Sequence, residues 1–377
     1  MRKKVLALFG TRPEVIKLAP VIGAIEARGN GLQTLNVASG QHTDLLYPFI
    51  EQFGIRMDYD LKVMVPGQTP NQVCSRVLDQ LDPLLASEMP DLILVQGDTT
   101  TAMSGALAGF HRRIPVGHVE AGLRSGNPYS PYPEEMNRQL ISRLATHHFA
   151  ATDRNRDALL SEGVCPESVF VTGNPVVDSL KRMLEGLTPS PIVAELLEAT
   201  AGLKRIVLTT HRRESFGELM VENLKVLRRF VESNEHVSLI FPVHPNPAVV
   251  EPTKRILIGH PRIHLCRPLD YEEFILLLSN AWLIVSDSGG VQEEAPTLGK
   301  PLLILRENTE RPEVVESGIA RLVSGGPGHL DAMLSELGQG DNWVNAVTTV
   351  ENPFGPGDSG KRIADVIARL LVGGGAL

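Results

Sequence analysis

The chain has 377 residues, of which 42% are hydrophobic and 21% charged, and its formal net charge is −8. This composition is typical of a globular protein and excludes extensive disorder, while the length exceeds that of one ordinary core and predicts two domains. The acidic balance argues against non-specific nucleic-acid binding, and no apolar stretch approaches the length of a membrane span, so we expect neither partner.

The first half of the chain alternates short apolar runs with longer amphipathic stretches. The runs predicted to be buried strands lie at 5–9, 92–96, 116–119, 148–151 and 169–172. Helical patterns between them include 14–27 and 71–86. Such alternation is typical of a parallel sheet covered by helices on both faces. Ligands of these sheets bind beyond the carboxyl ends of the strands, so the residues that follow each strand are candidates for a site.

The residues after the first predicted strand are GTRPE at 10–14. Gly10 permits a tight turn, and Pro13 suits the first turn of a helix because its missing N–H would have no helical partner there. Arg12 and Lys17 would then lie near a helix N-terminus, which favours anions. The alternative is an ordinary strand–helix turn with surface cations.

Three carboxylates follow in positions where packing alone does not explain them. Asp98 comes just after the strand predicted at 92–96, Glu120 ends the strand predicted at 116–119, and Glu134 lies in the loop that follows. Asp98 and Glu134 taken singly would serve as helix-terminal acids. Taken together, closely placed carboxylates have separated proton affinities and can act as acid and base. Metal binding is the competing use, but no D-x-D follows these strands and no H-x-x-H or H-E-x-x-H spacing occurs, so we expect no metal.

The same alternation restarts in the second half. The strands predicted there lie at 205–209, 238–243, 263–266, 283–286 and 301–305. A junction falls within 180–202, and 359–372 is amphipathic, with Asp358 or Ser359 as its expected cap. We therefore predict an α/β protein with two Rossmann-like doubly wound domains that face a cleft, at 1–180 and 181–358. A C-terminal helix at 359–377 is predicted to return to the first domain.

Two stretches of the second half are suited to phosphate binding. THRRES at 210–215 places His211 and two arginines after a strand, where they could bind phosphates. DSGG at 287–290 places Ser288, Gly289 and Gly290 at the start of a helix, where amide groups bind anions. The alternative for the latter is a capped helix with glycines for packing.

Two further residues extend this second motif. Glu294, one helical turn further on, is suited to binding vicinal sugar hydroxyls, and Arg311 could reach back to the same ligand.

The three cysteines, Cys74, Cys165 and Cys266, lack metal-ligand spacing, and the apolar run at 5–9 is too short for a signal peptide. We therefore expect a cytoplasmic protein with reduced thiols.

The motifs together resemble those of the non-hydrolysing UDP-N-acetylglucosamine 2-epimerase family. They include FGTRPE at 9–14, GHVEAGLR at 117–124, THRRES at 210–215, and DSGG at 287–290 continuing to GKP at 299–301. The resemblance implies a GT-B-like fold, a homodimer, no cofactor, and reversible C2 epimerisation of UDP-GlcNAc to UDP-ManNAc for polysaccharide biosynthesis. In that family UDP leaves by anti elimination, a 2-acetamidoglucal stays bound, and UDP then adds back.

The resemblance also implies roles for individual residues. The positions that match the family's catalytic residues are Asp98, Glu120, Glu134 and His211. Those that match substrate-binding positions are Arg12, Lys17, Phe274 (beside uracil), Ser288, Gly289, Gly290, Glu294 and Arg311. Some members are activated by a second UDP-GlcNAc. Gln41 and His42 match part of that region, but Asp44 and Gly67 replace a glutamine and an arginine, so we expect no such regulation.

Several alternatives remain open from the sequence. The substrate could be a related UDP-2-acetamido sugar, or the enzyme could hydrolyse the intermediate and release ManNAc and UDP. A glycosyltransferase could use the same UDP site with an acceptor. A non-catalytic nucleotide-sugar sensor is disfavoured, because nearby carboxylates oppose the binding of an anionic diphosphate.

Overall fold

The computed structural model describes residues 2–29, 31–40, 43–212 and 215–373, with the backbone alone at 43–45. It divides into two compact units. The first comprises Met1–Ser179 with Phe354–Leu377, and the second comprises Leu180–Pro353. Among the described residues, no helix is both long enough and apolar enough to cross a bilayer.

The first unit contains one parallel sheet. Its strands are β1 (Lys3–Phe9), β2 (Leu32–Ala38), β3 (Tyr59–Asp60), β4 (Leu92–Gln96), β5 (Val116–Ala121), β6 (His147–Ala150) and β7 (Val169–Val171). They lie in the order β3-β2-β1-β4-β5-β6-β7, and every pairing is parallel. The helices in this part of the chain are α1 (Arg12–Arg28), α2 (Thr43–Gln52), α3 (Pro70–Glu88), α4 (Thr100–His111), α5 (Glu134–Leu144), α6 (Asp153–Ser161) and α7 (Val176–Leu184), of which α7 crosses the boundary between the units.

The second unit repeats this arrangement. Its strands are β8 (Lys204–Thr209), β9 (Val237–Pro242), β10 (Ile263–Cys266), β11 (Leu283–Ser286), β12 (Leu302–Ile304) and β13 (Ala320–Leu322), in the parallel order β10-β9-β8-β11-β12-β13. Its helices are α8 (Pro191–Ala199), α9 (Glu218–Ser233), α10 (Pro247–Leu257), α11 (Tyr271–Ser279), α12 (Gly289–Leu298), α13 (Pro312–Glu316), α14 (Gly326–Gln339) and α15 (Asn342–Val347). The two sheets confirm the predicted α/β class with two Rossmann-like domains.

Each sheet has its own topological switch point. Chain order reverses between β1 and β4 in the first unit and between β8 and β11 in the second. Loops that follow the strands at such a point diverge and leave a crevice in which ligands of α/β proteins bind. Most of the predicted site residues lie at the carboxyl ends of β1, β4, β5, β8 and β11 or in the segments that follow them, whereas Phe274 and Arg311 follow β10 and β12. Each sheet also has its own buried apolar cluster, around Leu6 and Val95 in one unit and around Leu208 and Val285 in the other.

The last helix, α16 (Ser359–Leu371), packs on α1 in the first unit, as predicted. Its expected cap was right in position but not in hydrogen bonding. Asp358 occupies the N-cap position without a capping hydrogen bond from its side chain, and Ser359 is the first helical residue. The carboxylate of Asp178 instead accepts hydrogen bonds from the backbone N–H of Ser359 at 3.2 Å and of Gly360 at 2.9 Å. A carboxylate from another part of the first unit thus satisfies the first amides of α16.

Candidate functional site

In the first unit, Glu120 lies inside β5 rather than after it. The pairing of β5 with β6 shifts register between Val119 and Ala121, and Glu120 has a φ of 66°. This left-handed conformation is uncommon for residues other than glycine and costs free energy, so the surrounding contacts must hold it. A bulge of this kind redirects a side chain at the end of a strand.

The Glu120 carboxylate is held by hydrogen bonds from three side chains. Lys17 Nζ and Asn174 Nδ2 donate to Oε1, the latter at 3.3 Å, and Gln96 Nε2 donates to Oε2. Lys17 is buried, so its ammonium and Glu120 form an ion pair with little exposure to solvent. Lys17 was predicted to lie at an anion-binding helix terminus, and in this structure its described partner is a catalytic candidate.

Asp98 is held in turn by α5. Arg138 donates to Asp98 Oδ2 from Nε at 2.8 Å and from Nη2 at 2.7 Å, and Asn137 Nδ2 donates to the Asp98 carbonyl at 2.8 Å. Arg138 also pairs with the buried Glu135 at 3.1 Å. No role was predicted for Asn137 or Arg138 from the sequence. A basic residue one turn into a helix is a common surface feature, and only the fold brings it to Asp98.

Glu134, the first residue of α5, lies close to Asp98 in space. Both residues line a cavity of about 380 Å³ together with Thr11, Thr99 and Asn137. The structure thus brings Asp98 and Glu134 to one cavity. Glu120 lies on β5, the strand next to β4, which precedes Asp98. A pair of carboxylates at one cavity can divide the acid and base functions.

A buried histidine supports the Asp98 loop from below. His118 on β5 is fully buried, and its Nε2–H donates to the carbonyl of Gly97 at 2.8 Å. Burial lowers the pKa of His118 to about 3, so the ring is neutral at pH 7. No role was predicted for His118 from the sequence, because a single histidine inside an apolar strand has no spacing that indicates a functional site.

The N-terminus of α1 is occupied by its own Glu14. Glu14 Oε2 accepts hydrogen bonds from the backbone N–H of Gly10 at 2.9 Å and of Thr11 at 2.7 Å, and Oε1 accepts from Thr99 Oγ1 at 2.8 Å. Burial raises the pKa of Glu14 to about 7, although these donors lower it. The amides that would bind a phosphate in many Rossmann-like domains are therefore already bonded. Arg12, from the same turn, lies over the ring of Phe49 with its Cζ 5.6 Å from the centroid.

In the second unit, the loop after β8 is anchored by Asp287. Asp287 is fully buried, and its carboxylate accepts hydrogen bonds from Thr210 Oγ1, from Ser215 Oγ and from the backbone N–H of His211 and Arg212 at 2.7–3.2 Å. The motif containing Asp287 was singled out from the sequence, but this residue was given no role. Arg213 and Glu214 of the loop lie outside the described residues, as do Gln41, His42 and the side chain of Asp44.

His211 is partly exposed beside this anchor. Its Nδ1 lies 3.6 Å from Asp287 Oδ1, and its ring stacks on His244 with centroids 5.8 Å apart. Burial lowers the pKa of His211, Asp287 raises it, and His244 and Arg212 lower it further. Together these effects lower the pKa of His211 below its ordinary value, which favours the neutral ring at pH 7.

At its N-terminus, the helix that begins after β11 has the turn predicted to bind anions (the anion-binding turn), formed by Ser288, Gly289 and Gly290. Ser288 is the N-cap residue, and its N–H donates to Ser286 Oγ at 3.0 Å. A Cβ at Gly289 would lie 3.1 Å from Arg311 Nη1 and 3.5 Å from Arg212 Nη2. Two guanidinium groups thus approach the backbone at a helix N-terminus, where the dipole also favours an anion.

The predicted sugar and base contacts lie on α11 and α12. Glu294 is buried, and its Oε1 accepts a hydrogen bond from Tyr271 Oη at 2.9 Å. Phe274, one turn after Tyr271 on α11, is half-buried. Arg311 precedes α13, and its Nε donates to Glu293 Oε1 at 2.5 Å. The structure thus connects Glu294 with α11, and it brings Arg311 to the anion-binding turn.

The sequence of this chain is similar to that of known proteins over nearly its whole length. The profile of the family described as UDP-N-acetylglucosamine 2-epimerase matches residues 24–368. The chain is 44% identical over 374 residues to the UDP-N-acetylglucosamine 2-epimerase of Salmonella typhimurium, covering 98% of this chain and 99% of that protein.

Solved structures agree. The UDP-GlcNAc 2-epimerase of Neisseria meningitidis, bound to UDP-GlcNAc, has a TM-score of 0.88 at 39% identity and covers 97% of this chain and 100% of its own. The S. aureus MnaA–UDP structure has a TM-score of 0.89 at 38% identity and covers 98% and 97%. These similarities, with the two parallel sheets, confirm the GT-B-like fold class. The chain belongs to the UDP-N-acetylglucosamine 2-epimerase family.

Proposed function

We propose that the chain is a non-hydrolysing epimerase that interconverts UDP-GlcNAc and UDP-ManNAc. The observation that carries the proposal is its similarity, over nearly the whole chain, to epimerases such as that of Salmonella typhimurium. The site residues supply the chemistry that such a reaction needs. One set is suited to binding the leaving diphosphate, and another is suited to moving a proton.

We assign the diphosphate of UDP to the anion-binding turn of α12. The N–H of Ser288 already donates to Ser286 Oγ, so the amides of Gly289 and Gly290 are those assigned to phosphate oxygens, with the Ser288 hydroxyl as a further donor. Arg311 adds a cation at the same place. The corresponding turn at α1 is a poor phosphate site, because Glu14 bonds its amides.

Residues on the neighbouring helices are assigned to the rest of the nucleotide, its ribose and its uracil. Glu294 is assigned to the ribose hydroxyls, since Tyr271 orients its carboxylate and a carboxylate accepts hydrogen bonds from the hydroxyls of a diol. Phe274 is assigned to the uracil ring, by resemblance to the family. Arg12 and Lys17 are assigned to substrate contact in the first unit, where Lys17 also orients Glu120.

The chemical step is an anti elimination followed by its reverse. A base removes the C2 proton, the C1–O bond breaks with its electron pair passing to UDP, and a 2-acetamidoglucal remains. Protonation of C2 from the opposite face and re-addition of UDP at C1 complete the inversion. We assign the proton transfers to Asp98, Glu120 and Glu134 without dividing them, and the stabilisation of departing UDP to His211.

The C2–H bond is weakly acidic, so stabilisation of the leaving group must contribute heavily. Fixed donors and cations at the diphosphate are the usual source of such stabilisation. A positioned acid or base contributes about 10²–10⁴-fold in rate. Retention of the glycal, rather than its hydrolysis, requires that water be excluded while UDP is detached.

Turnover in D₂O tests the proposal. The protein is incubated with UDP-GlcNAc without metal or acceptor, and products are followed by NMR. We expect UDP-ManNAc with deuterium at C2. Free ManNAc with UDP would show a hydrolysing enzyme instead, and an absence of both turnover and exchange would favour a transferase or a sensor.

Substitution of the carboxylates tests their assignment. Asp98→Asn and Glu120→Gln should reduce C2 exchange by at least about 10²-fold and leave UDP affinity within a few-fold, because the assigned UDP ligands are on other residues. Glu162→Gln serves as a matched control, since Glu162 pairs with Arg124 and has no assigned role. Normal exchange in either site variant would remove that residue from the mechanism.

Three further parts of the prediction rest on the sequence and its family resemblance alone. We propose a homodimer, a cytoplasmic location and a role in supplying UDP-ManNAc for surface polysaccharides. Light scattering in solution measures the mass directly, and a monomer at micromolar concentration would contradict the first of these.

A further inference from the structure

Asp287 makes several hydrogen bonds to the loop that contains His211, although the proposed function gives Asp287 no role. Its carboxylate accepts hydrogen bonds from the hydroxyls of Thr210 and Ser215 and from the N–H of His211 and Arg212. Its own N–H donates to the Thr209 carbonyl at 3.3 Å, which ties the ends of β8 and β11 together. A carboxylate satisfied in this way holds the backbone of the loop in one place.

The same carboxylate also faces the His211 ring. Nδ1 lies 3.6 Å from Asp287 Oδ1, an ion-pair distance slightly too long for a hydrogen bond. Among the residues that the structure describes, the other charged or titratable groups that act on this ring are His244, which stacks on it, and Arg212, and both disfavour a protonated ring, as does burial. Asp287 acts in the opposite sense and favours protonation.

Asp287 also immediately precedes the anion-binding turn. Gly289 follows it across Ser288, and the Arg212 guanidinium reaches within 3.5 Å of the Cβ position at Gly289. One short stretch of chain therefore fixes both the histidine loop and the turn assigned to the diphosphate. When a partner residue orients one nitrogen of a histidine ring, the other ring nitrogen faces the ligand.

We propose that Asp287 is a positioning residue that acts through His211. Its carboxylate directs the proton of His211 to Nδ1 and stabilises the imidazolium, so that a protonated ring donates a hydrogen bond from Nε2 to the departing diphosphate. The inference rests on the proposed function, because it requires UDP as the leaving group. The competing explanation is that Asp287 only anchors the loop.

A double-mutant cycle separates the two explanations. Wild type, Asp287→Asn, His211→Asn and the double variant are compared for kcat and KM with UDP-GlcNAc across pH. We expect Asp287→Asn to lower kcat by about 10²-fold, as expected for the loss of a positioned donor. The double variant should be no slower than His211→Asn alone, because residues that act as a unit are not additive. Multiplicative losses would overturn the proposal.

The pH profile gives a second readout. Asp287 raises the pKa of His211, so its removal lowers that pKa, and the protonated ring is lost earlier as pH rises. The alkaline limb of kcat should therefore move to lower pH in Asp287→Asn. Thr210→Val is the matched variant, because it removes one hydrogen bond to the same carboxylate and keeps the charge. An unmoved limb in Asp287→Asn, or an equal movement in Thr210→Val, would overturn the proposal.

Nitrogen NMR of ¹⁵N-histidine-labelled wild-type protein keeps the test valid if Asp287→Asn fails to fold. His211→Asn identifies the signals. We expect the neutral ring to carry its proton on Nδ1, and added UDP to raise the protonated fraction. A proton on Nε2 with Nδ1 bare would overturn the inference whether or not the protein turns over. Lack of epimerisation by wild type in the D₂O assay would instead overturn the proposed function.

Discussion

Gly289 shows how a missing side chain can be a functional requirement. A Cβ there would lie 3.1 Å from Arg311 Nη1, and Arg311 is itself held by Glu293. We expect Gly289→Ala to weaken UDP binding by about 10-fold, or about 1.4 kcal/mol, because the guanidinium must move from the turn. Folding should be unharmed, since alanine is the better helix former. Isothermal titration with UDP measures the affinity.

The matched control is Gly23→Ala in α1. Nothing lies within 4 Å of its Cβ position, so UDP affinity should not change. Equal affinities for wild type and Gly289→Ala would show that Arg311 is not needed in its present position for binding UDP.

At the residue scale, the sequence could predict which loops hold the candidates but not their pairings. Asp98 and His211 were found because they follow apolar strands. The partners of Glu120 and His211 could not be found in this way, since Lys17 is 103 residues from Glu120 and Asp287 is 76 from His211. Spacing patterns describe neighbours along the chain, whereas these contacts depend on which strands lie side by side.

At the element scale, the contact of α16 with α1 is unusually close. A Cβ at Gly360 would lie 2.5 Å from the Pro20 carbonyl oxygen and 2.6 Å from its carbon. Both are backbone atoms, so Gly360→Ala must push the helices apart. We expect a loss of about 1–3 kcal/mol in the free energy of unfolding, the usual cost of overpacking. Urea unfolding followed by circular dichroism measures it.

Gly186→Ala is the control for this substitution, because its Cβ position has no atom within 4 Å. Its unfolding midpoint should match that of wild type. If Gly360→Ala also matched wild type, the close approach of α16 to α1 would not contribute to stability as described.

The prediction of elements succeeded where strands are apolar and failed where they are not. The strand predicted at 92–96 matches β4, whereas β2 was not predicted. β2 contains Gln33, Thr34 and Asn36, and its buried Asn36 side chain donates to the Arg56 carbonyl at 2.8 Å. A polar residue whose amide nitrogen donates to a distant carbonyl is compatible with a buried strand, but that partner cannot be found by a search for apolar runs.

At the scale of the whole molecule, two separate cores imply two units of unfolding. The chain should show two calorimetric transitions rather than one. UDP at 100 times its Kd should stabilise one of them by about 2.7 kcal/mol, because the assigned UDP ligands are all in the second unit. Differential scanning calorimetry with and without UDP measures this.

Gly360→Ala identifies the other transition, since α16 belongs to the first unit. That transition should fall in the variant and respond little to UDP. A single transition that moves as a whole, or two that move equally with UDP, would contradict the assignment of UDP to the second unit.

The first unit is assembled from two stretches of chain that flank the second, Met1–Ser179 and Phe354–Leu377. Translation delivers them at different times. While the ribosome is still making α16, the intervening lobe already has all of its own residues, and α1 still lacks the helix that covers it. The unit whose synthesis begins first is therefore completed last. Until α16 is made, the apolar face that it will cover is exposed to chaperones that bind nascent chains.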